Sequence, residues 1–236
     1  ERLLGLVLDL HDPAGSHVQL ARRDRVVGQR GDDLLRCIGL DLEPNAPIVG
    51  VISRLTWQKG MDLVAAALRE LLGGGAHLAL LGSGEGWLEE RLAAAARAHA
   101  GRVATVIGYD EALAHLMQGG IDALLVPSRF EPCGLTQLCA LRYGAIPVVA
   151  RVGGLADTVI DANEMALVAG VGTGVQFAPV TREHLALATD RALQLWRTPP
   201  AWRRLQARAM ATDVGWTRPA KKYAAIFREL VASGAS

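Results

Sequence analysis

The sequence has almost no net charge and no long apolar segment. Its 25 basic and 24 acidic residues leave a formal charge of +1, so no overall field attracts nucleic acid or a membrane surface, and any anion site must be local. No apolar run approaches the length that spans a bilayer, and the N-terminal residues lack the pattern of a secretory signal peptide. We therefore expect neither export nor membrane insertion, and no nucleic-acid partner.

Cysteine is also scarce. The sequence has three cysteines, an odd number, at Cys37, Cys133 and Cys139. Their spacing is not that of metal ligands. A chain of 236 residues can bury a substantial hydrophobic core and does not need disulfide bonds. These features predict a reducing, cytoplasmic compartment, with neither a metal ion nor a separate cofactor.

Lysine is rarer still among the charged residues. Of the 25 basic residues only Lys59, Lys221 and Lys222 are lysine. The chain supplies its positive charge almost entirely as arginine, so a lysine in the middle of a motif stands out. Taken alone, chance explains Lys59 equally well.

Short apolar runs alternate with longer amphipathic stretches from Pro47 onward. Most of the runs are rich in β-branched residues or leucine, as strands buried on both faces should be. We predict strands at 48–53, 77–81, 103–107, 121–126 and 146–149, separated by helices at 61–72, 87–98, 111–118, 135–142 and 155–161. This order predicts an α/β fold, a Rossmann-like parallel sheet with helices on both faces.

The strand pattern fades into a helical tail after Gly174. Thr181 has the features of an N-cap for a helix that runs to about Arg197, where Pro199 and Pro200 stop it. Further helices are predicted at 202–210 and 219–232. Residues 11–30 have no sustained periodicity, and 32–40 are predicted to form one helix. We therefore divide the chain into an interdomain or leader segment, 1–46, and one domain with its helical tail, 47–236.

The loop after the first strand is a candidate anion site, since ligands bind beyond the carboxyl ends of the strands in an open α/β sheet. Its sequence, SRLTWQKG, places Arg54 and Lys59 five residues apart before a helix. Both cations can converge on one phosphate, which the helix N-terminal amides also attract. The alternative is a solvated loop whose cations pair with nearby acids such as Asp62.

The next two loops are less specific. The segment GSGEG at 82–86 either lets a ligand approach the backbone or only turns a tight corner, and its third glycine is one residue short of the dinucleotide-binding spacing. Tyr109 follows Gly108 after the third strand. It can stack on a nucleotide base or cap the edge of the core.

The loop after the fourth strand, PSRFEPCGLTQ at 127–137, gives the strongest signal. Glu131 is a carboxylate between an aromatic residue and a proline, and Gly134 exposes backbone N–H groups near a helix start at Thr136. The loop therefore offers an acceptor for sugar hydroxyls beside donors for a phosphate. The alternative is that Glu131 only compensates the helix macrodipole, but this leaves Arg54 and Lys59 without a purpose.

Four segments together resemble a known family. In order and separation they are similar to segments of the C-terminal domain of bacterial glycogen synthases and plant starch synthases: SRLTWQKGMD, IGYDE, SRFEPCGLTQ and VGGLADTV. The resemblance extends from about residue 32 to the end. The resemblance implies the donor-binding half of a two-domain GT-B glycosyltransferase. Such enzymes transfer glucose from ADP-glucose to the non-reducing end of an α-1,4-glucan with retention at the anomeric carbon.

The resemblance also implies roles for individual residues. Arg54 and Lys59 hold the diphosphate and offset the charge on the departing ADP, and Glu131 faces the glucose, so these three form the catalytic set. The implied substrate-binding residues are Tyr109 on adenine, Cys133 at the sugar, Leu135 and Thr136 at the phosphate, and Gly134, which exposes backbone N–H groups beside them. Gly153 and Gly154 match a glycine turn that places backbone near the sugar.

Two departures from the family pattern limit this carry-over. Many retaining transferases of this fold have a second glutamate eight positions after the first, where this chain has Cys139, which puts the ribose contact in doubt. The N-terminal GT-B domain, with its lysine-glycine-glycine loop, does not occur in this sequence. We therefore expect a chain that is inactive without that domain.

Other functions remain open from the sequence. An isolated Rossmann-like domain can bind a nucleotide or nucleotide sugar without turning it over. A related retaining transferase that uses a UDP-sugar is also possible, because no residue that discriminates the base can be identified. A nicotinamide dehydrogenase is disfavoured, since both its glycine fingerprint and the acidic residue that follows it are missing.

Overall fold

The fold was analysed in a computed structural model that describes residues 38–41 and 46–234. The strands are β1 (Ile48–Ile52), β2 (His77–Gly82), β3 (Val103–Ile107), β4 (Ala123–Val126), β5 (Ile146–Ala150) and β6 (Val175–Phe177). They form a sheet in the order β3-β2-β1-β4-β5-β6, and each neighbouring pair is parallel. The predicted α/β Rossmann-like sheet is confirmed.

Helices follow the strands and continue beyond them. In the described part of the chain they are α1 (Met61–Ala66), α2 (Leu68–Gly73), α3 (Gly86–Ala98), α4 (Glu111–Gly120), α5 (Thr136–Tyr143), α6 (Gly153–Thr158), α7 (Glu164–Ala169), α8 (Arg182–Trp196), α9 (Pro199–Met210) and α10 (Thr217–Ser233). Thr181 caps α8 as predicted, because its side chain accepts a hydrogen bond from the His184 amide.

Both faces of the sheet are covered, which explains why the strands are apolar without alternation. On one face Val49 and Leu78 pack with α1, α2, α3 and α8. On the other face Ala79 and Leu124 pack with α4 and α5, and Ile146 packs with α5 and α9. The prediction of helices on both faces is confirmed.

The strand order fixes where a ligand can bind. β1 pairs with β2 on one side and with β4 on the other, so the chain winds in opposite directions from β1. The loops after β1 and β4 therefore separate at the carboxyl edge and leave a crevice between them. The loops that carry Arg54, Lys59 and Glu131 both start at this point.

Three details of the sequence prediction were wrong. β6 was missed, because it is a three-residue edge strand with the polar Gln176 at its centre. The predicted helix 61–72 is divided at Ala67, whose φ of −88° and ψ of 5° end α1 before α2 begins. α7 was also missed, although Asn163 caps its start and Gly170 ends it in the left-handed region.

The two prolines after α8 act differently from the prediction. Pro199 and Pro200 were expected to end the preceding helix, and α8 does end at Trp196. They also begin α9, since both occupy its first positions, where a missing N–H costs nothing.

The segment before the sheet lies mostly outside the described residues. This applies to the predicted helix 32–40, of which only Ile38, Gly39 and Leu40 are described. Residues 46 and 47 are described, but 1–37 and 42–45 are not, so the domain boundary between 46 and 47 stays a prediction. Leu40 is buried and packs in the cluster formed by β2, β4 and α4.

The described residues contain neither a membrane-spanning helix nor a cluster of metal ligands. In residues 38–41 and 46–234, no helix combines the length and the apolar character needed to cross a membrane. The same residues contain no group of three or more His, Cys, Asp or Glu side chains that could hold a metal ion.

Candidate functional site

A cleft of about 200 Å³ lies at the crevice between β1 and β4. It is lined by the ends of both strands, by the loops that follow them and by the start of α5. Four of the predicted site residues line this one cleft: Arg54, Lys59, Glu131 and Thr136. Arg54 and Lys59 precede Glu131 by more than 70 residues in sequence, and only the parallel pairing of β1 with β4 brings them together.

Lys59 and Glu131 form an ion pair at the centre of the cleft. Lys59 Nζ lies 2.5 Å from Glu131 Oε2, and the side chains are only 17% and 13% exposed. Ser128 donates a hydrogen bond of 3.3 Å to the same carboxylate oxygen. Glu131 thus contacts Lys59 and Ser128 across the cleft, and α5 begins at Thr136 without a side-chain cap. This arrangement differs from the alternative in which Glu131 only compensates the helix macrodipole.

Arg54 lies in a different environment from Lys59. Its side chain is exposed and lines the cleft. The Arg54 backbone carbonyl accepts hydrogen bonds from Ser53 and Thr56, but the Arg54 guanidinium makes no hydrogen bond or ion pair within the described residues. The alternative that cations of this loop pair with Asp62 is not observed, because Asp62 pairs with Arg129. Arg54 is therefore a cation at the cleft that is not neutralised by a described acid.

Arg129 connects the loop after β4 to the loop after β1. Its guanidinium donates two hydrogen bonds to the Asp62 carboxylate, at 2.7 and 2.8 Å, and a third of 2.6 Å to the Trp57 carbonyl. The same group lies 4.3 Å from the centroid of the Trp57 ring. A bidentate pair with stacking fixes both partners in one geometry. Arg129 therefore links the loop that carries Glu131 to the segment that carries Lys59.

Two glycines, one in the first loop and one after β2, permit the close packing of the first loop. Gly60 has a φ of 72°, and a Cβ there would lie 2.1 Å from the Pro127 carbonyl oxygen. A Cβ on Gly84, in the GSGEG segment, would lie 2.3 Å from the Leu55 carbonyl oxygen. Neither interpretation of GSGEG anticipated that this segment packs against the first loop, where the Leu55 amide donates to the Ser83 carbonyl and the Glu85 amide donates to the Leu55 carbonyl.

The residues that follow Glu131 in the fourth loop differ in exposure and in backbone conformation. Cys133 and Leu135 are exposed, and neither lines the cleft. Gly134 has a φ of 70°, and a Cβ there would lie 2.4 Å from Gln137 Oε1. The left-handed backbone conformation therefore favours glycine at this position.

The predicted glycine turn lies directly against this loop. The Gly154 amide donates a hydrogen bond of 3.0 Å to the Glu131 carbonyl. A Cβ on Gly153 would lie 2.3 Å from the same oxygen. The turn thus fixes the backbone of Glu131.

Tyr109 is outside the cleft. It follows β3, two strands away from β1, and is 86% exposed. This exposure contradicts the alternative that Tyr109 caps the edge of the core.

The sequence prediction missed several residues that shape the site. Ser128, Arg129 and Asp62 all occur within the motifs that were singled out, but nothing in the sequence indicates that they meet. Gln137, at the end of SRFEPCGLTQ, was also missed, although it is 0% exposed. A polar residue in the first turn of an apolar helix was the available signal.

The family comparison covers most of the chain. Residues 40–208 match the family described as Glycosyl transferases group 1. The glycogen synthase of Rhodopseudomonas palustris strain TIE-1 is 66% identical over 194 residues, which are 82% of this chain and 40% of that protein. The glycogen synthase of strain HaA2 is 54% identical over 233 residues, or 97% of this chain and 48% of that protein. The chain thus spans less than half the length of these curated relatives.

A solved structure agrees with the sequence matches. The catalytic domain of starch synthase IV from Arabidopsis thaliana, bound to ADP and acarbose, superimposes with a TM-score of 0.82 at 31% sequence identity. The match covers 87% of this chain and 43% of that chain. The resemblance inferred from the motifs is confirmed, and the chain belongs to the group 1 glycosyltransferases, with the fold of the C-terminal half of a GT-B enzyme.

Proposed function

We propose that this chain is the donor-binding part of a glycogen or starch synthase that transfers glucose from ADP-glucose to an α-1,4-glucan with retention of configuration. The observation that carries the proposal is the cleft between β1 and β4, where Arg54, Lys59, Glu131 and Thr136 line one space. Support also comes from the relatives named glycogen synthase and from the similar starch synthase structure with ADP.

The diphosphate of the donor interacts with the two cations. The Lys59 and Glu131 charges offset one another, so the exposed Arg54 leaves the described cleft with one uncompensated positive charge. A diphosphate placed there would contact Arg54 and compete with Glu131 for Lys59. As the bond to glucose breaks, negative charge grows on ADP, and fixed cations stabilise that charge more in the transition state than in the ground state.

Glu131 then serves the sugar. Its carboxylate is within 2.5 Å of Lys59 Nζ, so it lies close to the position proposed for the phosphates. A carboxylate there orders the glucose hydroxyls and stabilises the positive charge that develops at the anomeric carbon. The groups of Gly134, Leu135 and Thr136 lie at the start of α5 and supply donors to the phosphate, while Cys133, which is exposed outside the cleft, contacts the sugar of the bound donor in this proposal.

Tyr109 is proposed to stack on adenine. A side chain that is 86% exposed after β3 offers a free aromatic face near the carboxyl edge of the sheet. Binding the base would cover this face without changing the cleft.

The acceptor glucan and the N-terminal GT-B domain are the proposed partners, in a cytoplasmic enzyme. The chain spans 40% of the first relative, so the acceptor surface belongs to the rest of the protein in this proposal. Helix α10 has no buried residue in the described structure and exposes Tyr223, Phe227 and Leu230. This apolar face fits burial against the N-terminal domain.

The proposal is tested by incubating the purified chain with radiolabelled ADP-glucose and glycogen, with and without a separately produced N-terminal domain. We expect incorporation only in the mixture, because losing the positioning of the acceptor and the exclusion of water removes about 7 to 11 kcal/mol of barrier lowering. The Glu131→Gln chain in the same mixture is the control for contaminating synthase. Incorporation by the chain alone at the rate of an intact synthase refutes the dependence on a second domain, and incorporation from UDP-glucose alone refutes the donor assignment.

A further inference from the structure

Gln137 lies in the first turn of α5, and its side-chain amide is enclosed by the loop that carries Glu131. The residue is 0% exposed. Its Nε2 lies within hydrogen-bond distance of the carbonyl oxygens of Cys133 and Gly134, at 3.1 and 3.0 Å, and of Thr158 Oγ1 at 3.2 Å, so its two hydrogens are shared among three acceptors. Three oxygens from two separate segments therefore converge on one nitrogen.

The chemistry of these oxygens fixes the orientation of the amide. Thr158 Oγ1 donates its single hydrogen to the Gly154 carbonyl at 2.5 Å, so towards Gln137 it can only accept. The Cys133 and Gly134 carbonyls are also acceptors only. Turning the amide over would place Gln137 Oε1 against three acceptors. Only a donor group fits at this position, and Oε1 in turn has no partner within the described residues.

The same segments are joined to Glu131. The Gly154 amide donates to the Glu131 carbonyl at 3.0 Å. A Cβ on Gly154 would lie 2.2 Å from the Cys133 carbonyl oxygen. The loop 131–134, the glycine turn 153–154 and Thr158 thus pack around Gln137 without space for rearrangement.

From this geometry we propose that Gln137 is a positioning residue for the donor site. Its amide holds the Glu131 loop and the glycine turn in one arrangement and so sets where Glu131 and the backbone of Gly134 lie relative to the diphosphate and glucose. The inference rests on the proposed function for the ligand, but the part that concerns the loop stands on the contacts alone.

Replacing Gln137 with glutamate tests the donor requirement with almost no change of shape. An ionised carboxylate has no hydrogen to give and would face two carbonyl oxygens and a hydroxyl oxygen that already donates elsewhere. A protonated carboxyl group has one donor and restores one of the bonds. Burial favours the protonated form, so the defect of Gln137→Glu is expected to shrink as the pH falls.

The first readout does not depend on any ligand. Hydrogen exchange of the Gly154 amide, expressed as protection relative to the unfolded chain, is measured for wild type, Gln137→Glu and Gln206→Glu at about pH 8 and about pH 6, on either side of the pH where a buried carboxyl group changes charge. Gln206 donates one hydrogen bond to the Gly144 carbonyl, far from the cleft. Glu131, Cys133 and Asp157 are ionisable and lie on the segments around Gln137. Wild type is therefore measured at both pH values, to separate their effect on exchange from that of the substituted residue.

We expect Gly154 protection to fall about tenfold or more in Gln137→Glu at the higher pH, as for loss of a hydrogen bond at a buried group, and to recover at the lower pH. Wild type and Gln206→Glu should show no such recovery. ADP titrations of the same proteins should follow the same pattern. Thr158→Val removes one of the three acceptors and should lower Gly154 protection by a smaller factor. It is the variant to measure if Gln137→Glu does not fold.

The outcomes separate the two proposals. Equal Gly154 protection in wild type, Gln137→Glu and Thr158→Val overturns the positioning role. Loss of protection with unchanged ADP affinity also overturns it, because the loop would then not set the donor site. A wild-type chain that does not bind ADP overturns the proposed function, while the exchange data still decide whether Gln137 holds the loop.

Discussion

The cleft and helix α10 are opposite in construction. At the cleft the polar side chains are largely enclosed, and Lys59 and Glu131 are 17% and 13% exposed. In α10 the apolar side chains are exposed, with Phe227 at 61% and Leu230 at 62%. Enclosed charges carry a free-energy cost unless they are paired. A contiguous exposed apolar face also carries a cost and typically marks an interaction surface. In the proposed function, the cleft binds the donor diphosphate and α10 packs against the N-terminal domain.

Substitution of Glu131 should have the largest effect of the changes considered, and it tests whether the enclosed charges of the cleft take part in catalysis. In an intact synthase, we expect Glu131→Gln to lower turnover by about 100-fold to 1000-fold, as for loss of an oriented group that stabilises transition-state charge. The donor affinity should change much less, because the shape is kept. Steady-state kinetics with ADP-glucose give both quantities, and Glu90→Gln, an exposed change on α3, is the matched control. A variant with normal turnover and weaker donor affinity would make Glu131 only a binding residue.

Arg129 does not line the cleft, but Arg129→Ala should loosen the two loops that form it. The substitution leaves Asp62 without its bidentate partner and separates the two loops, so we expect a loss of about 2 kcal/mol in unfolding free energy. Urea denaturation measures this loss. Arg182→Ala removes a pair whose side chains are 45% and 38% exposed and should cost under about 1 kcal/mol. Equal effects for the two variants would show that the Arg129 pair does not hold the loops.

The difference between these two ion pairs also shows what a sequence can reveal. Arg54, Lys59, Glu131 and Thr136 could be predicted because each follows an apolar run, and the carboxyl ends of parallel strands share one edge. The contact of Arg129 with Asp62 could not be predicted, since the two residues are 67 positions apart and meet only because β4 pairs with β1. Sequence periodicity does not define the neighbours of a parallel strand.

Short elements were lost for a different reason. β6 has three residues and its centre is Gln176, so no alternation or apolar run marks it. Its position is set by the pairing with β5 rather than by local preference. The buried position of Gln137 was missed in the same way, because the acceptors that it binds come from the loop after β4 and from α6.

Tyr109 tests whether the site extends beyond the cleft. Tyr109→Ala should weaken ADP binding by about 1 kcal/mol, the magnitude of an aromatic stacking contact, and leave pyrophosphate binding nearly unchanged. Calorimetry with both ligands measures the difference. The unfolding free energy should not change, because the side chain is 86% exposed. Equal losses for ADP and pyrophosphate would argue against stacking on the base.

Helix α10 should give the smallest effect in the chain alone. Phe227→Ser removes an exposed ring and is expected to change the unfolding free energy by less than about 0.5 kcal/mol. In an intact synthase the same change should cost about 1.5 to 3 kcal/mol if the ring is buried against the N-terminal domain. Thermal or urea unfolding of both proteins provides the comparison. The same small effect in both would leave α10 without the proposed contact.

The central claim is that the cleft between β1 and β4 binds the diphosphate of ADP through Arg54 and Lys59. Calorimetric titration of the chain with ADP tests it most directly, using wild type, Arg54→Ala, Lys59→Ala and Arg69→Ala. Arg69 is an exposed arginine on α2 and controls for the loss of one charge. A charge-assisted contact contributes about 1.5 to 3 kcal/mol, so each cleft variant should bind ADP about tenfold or more weakly, while Arg69→Ala binds as wild type does. Equal ADP affinity in all four proteins, or no binding by wild type, would contradict the account.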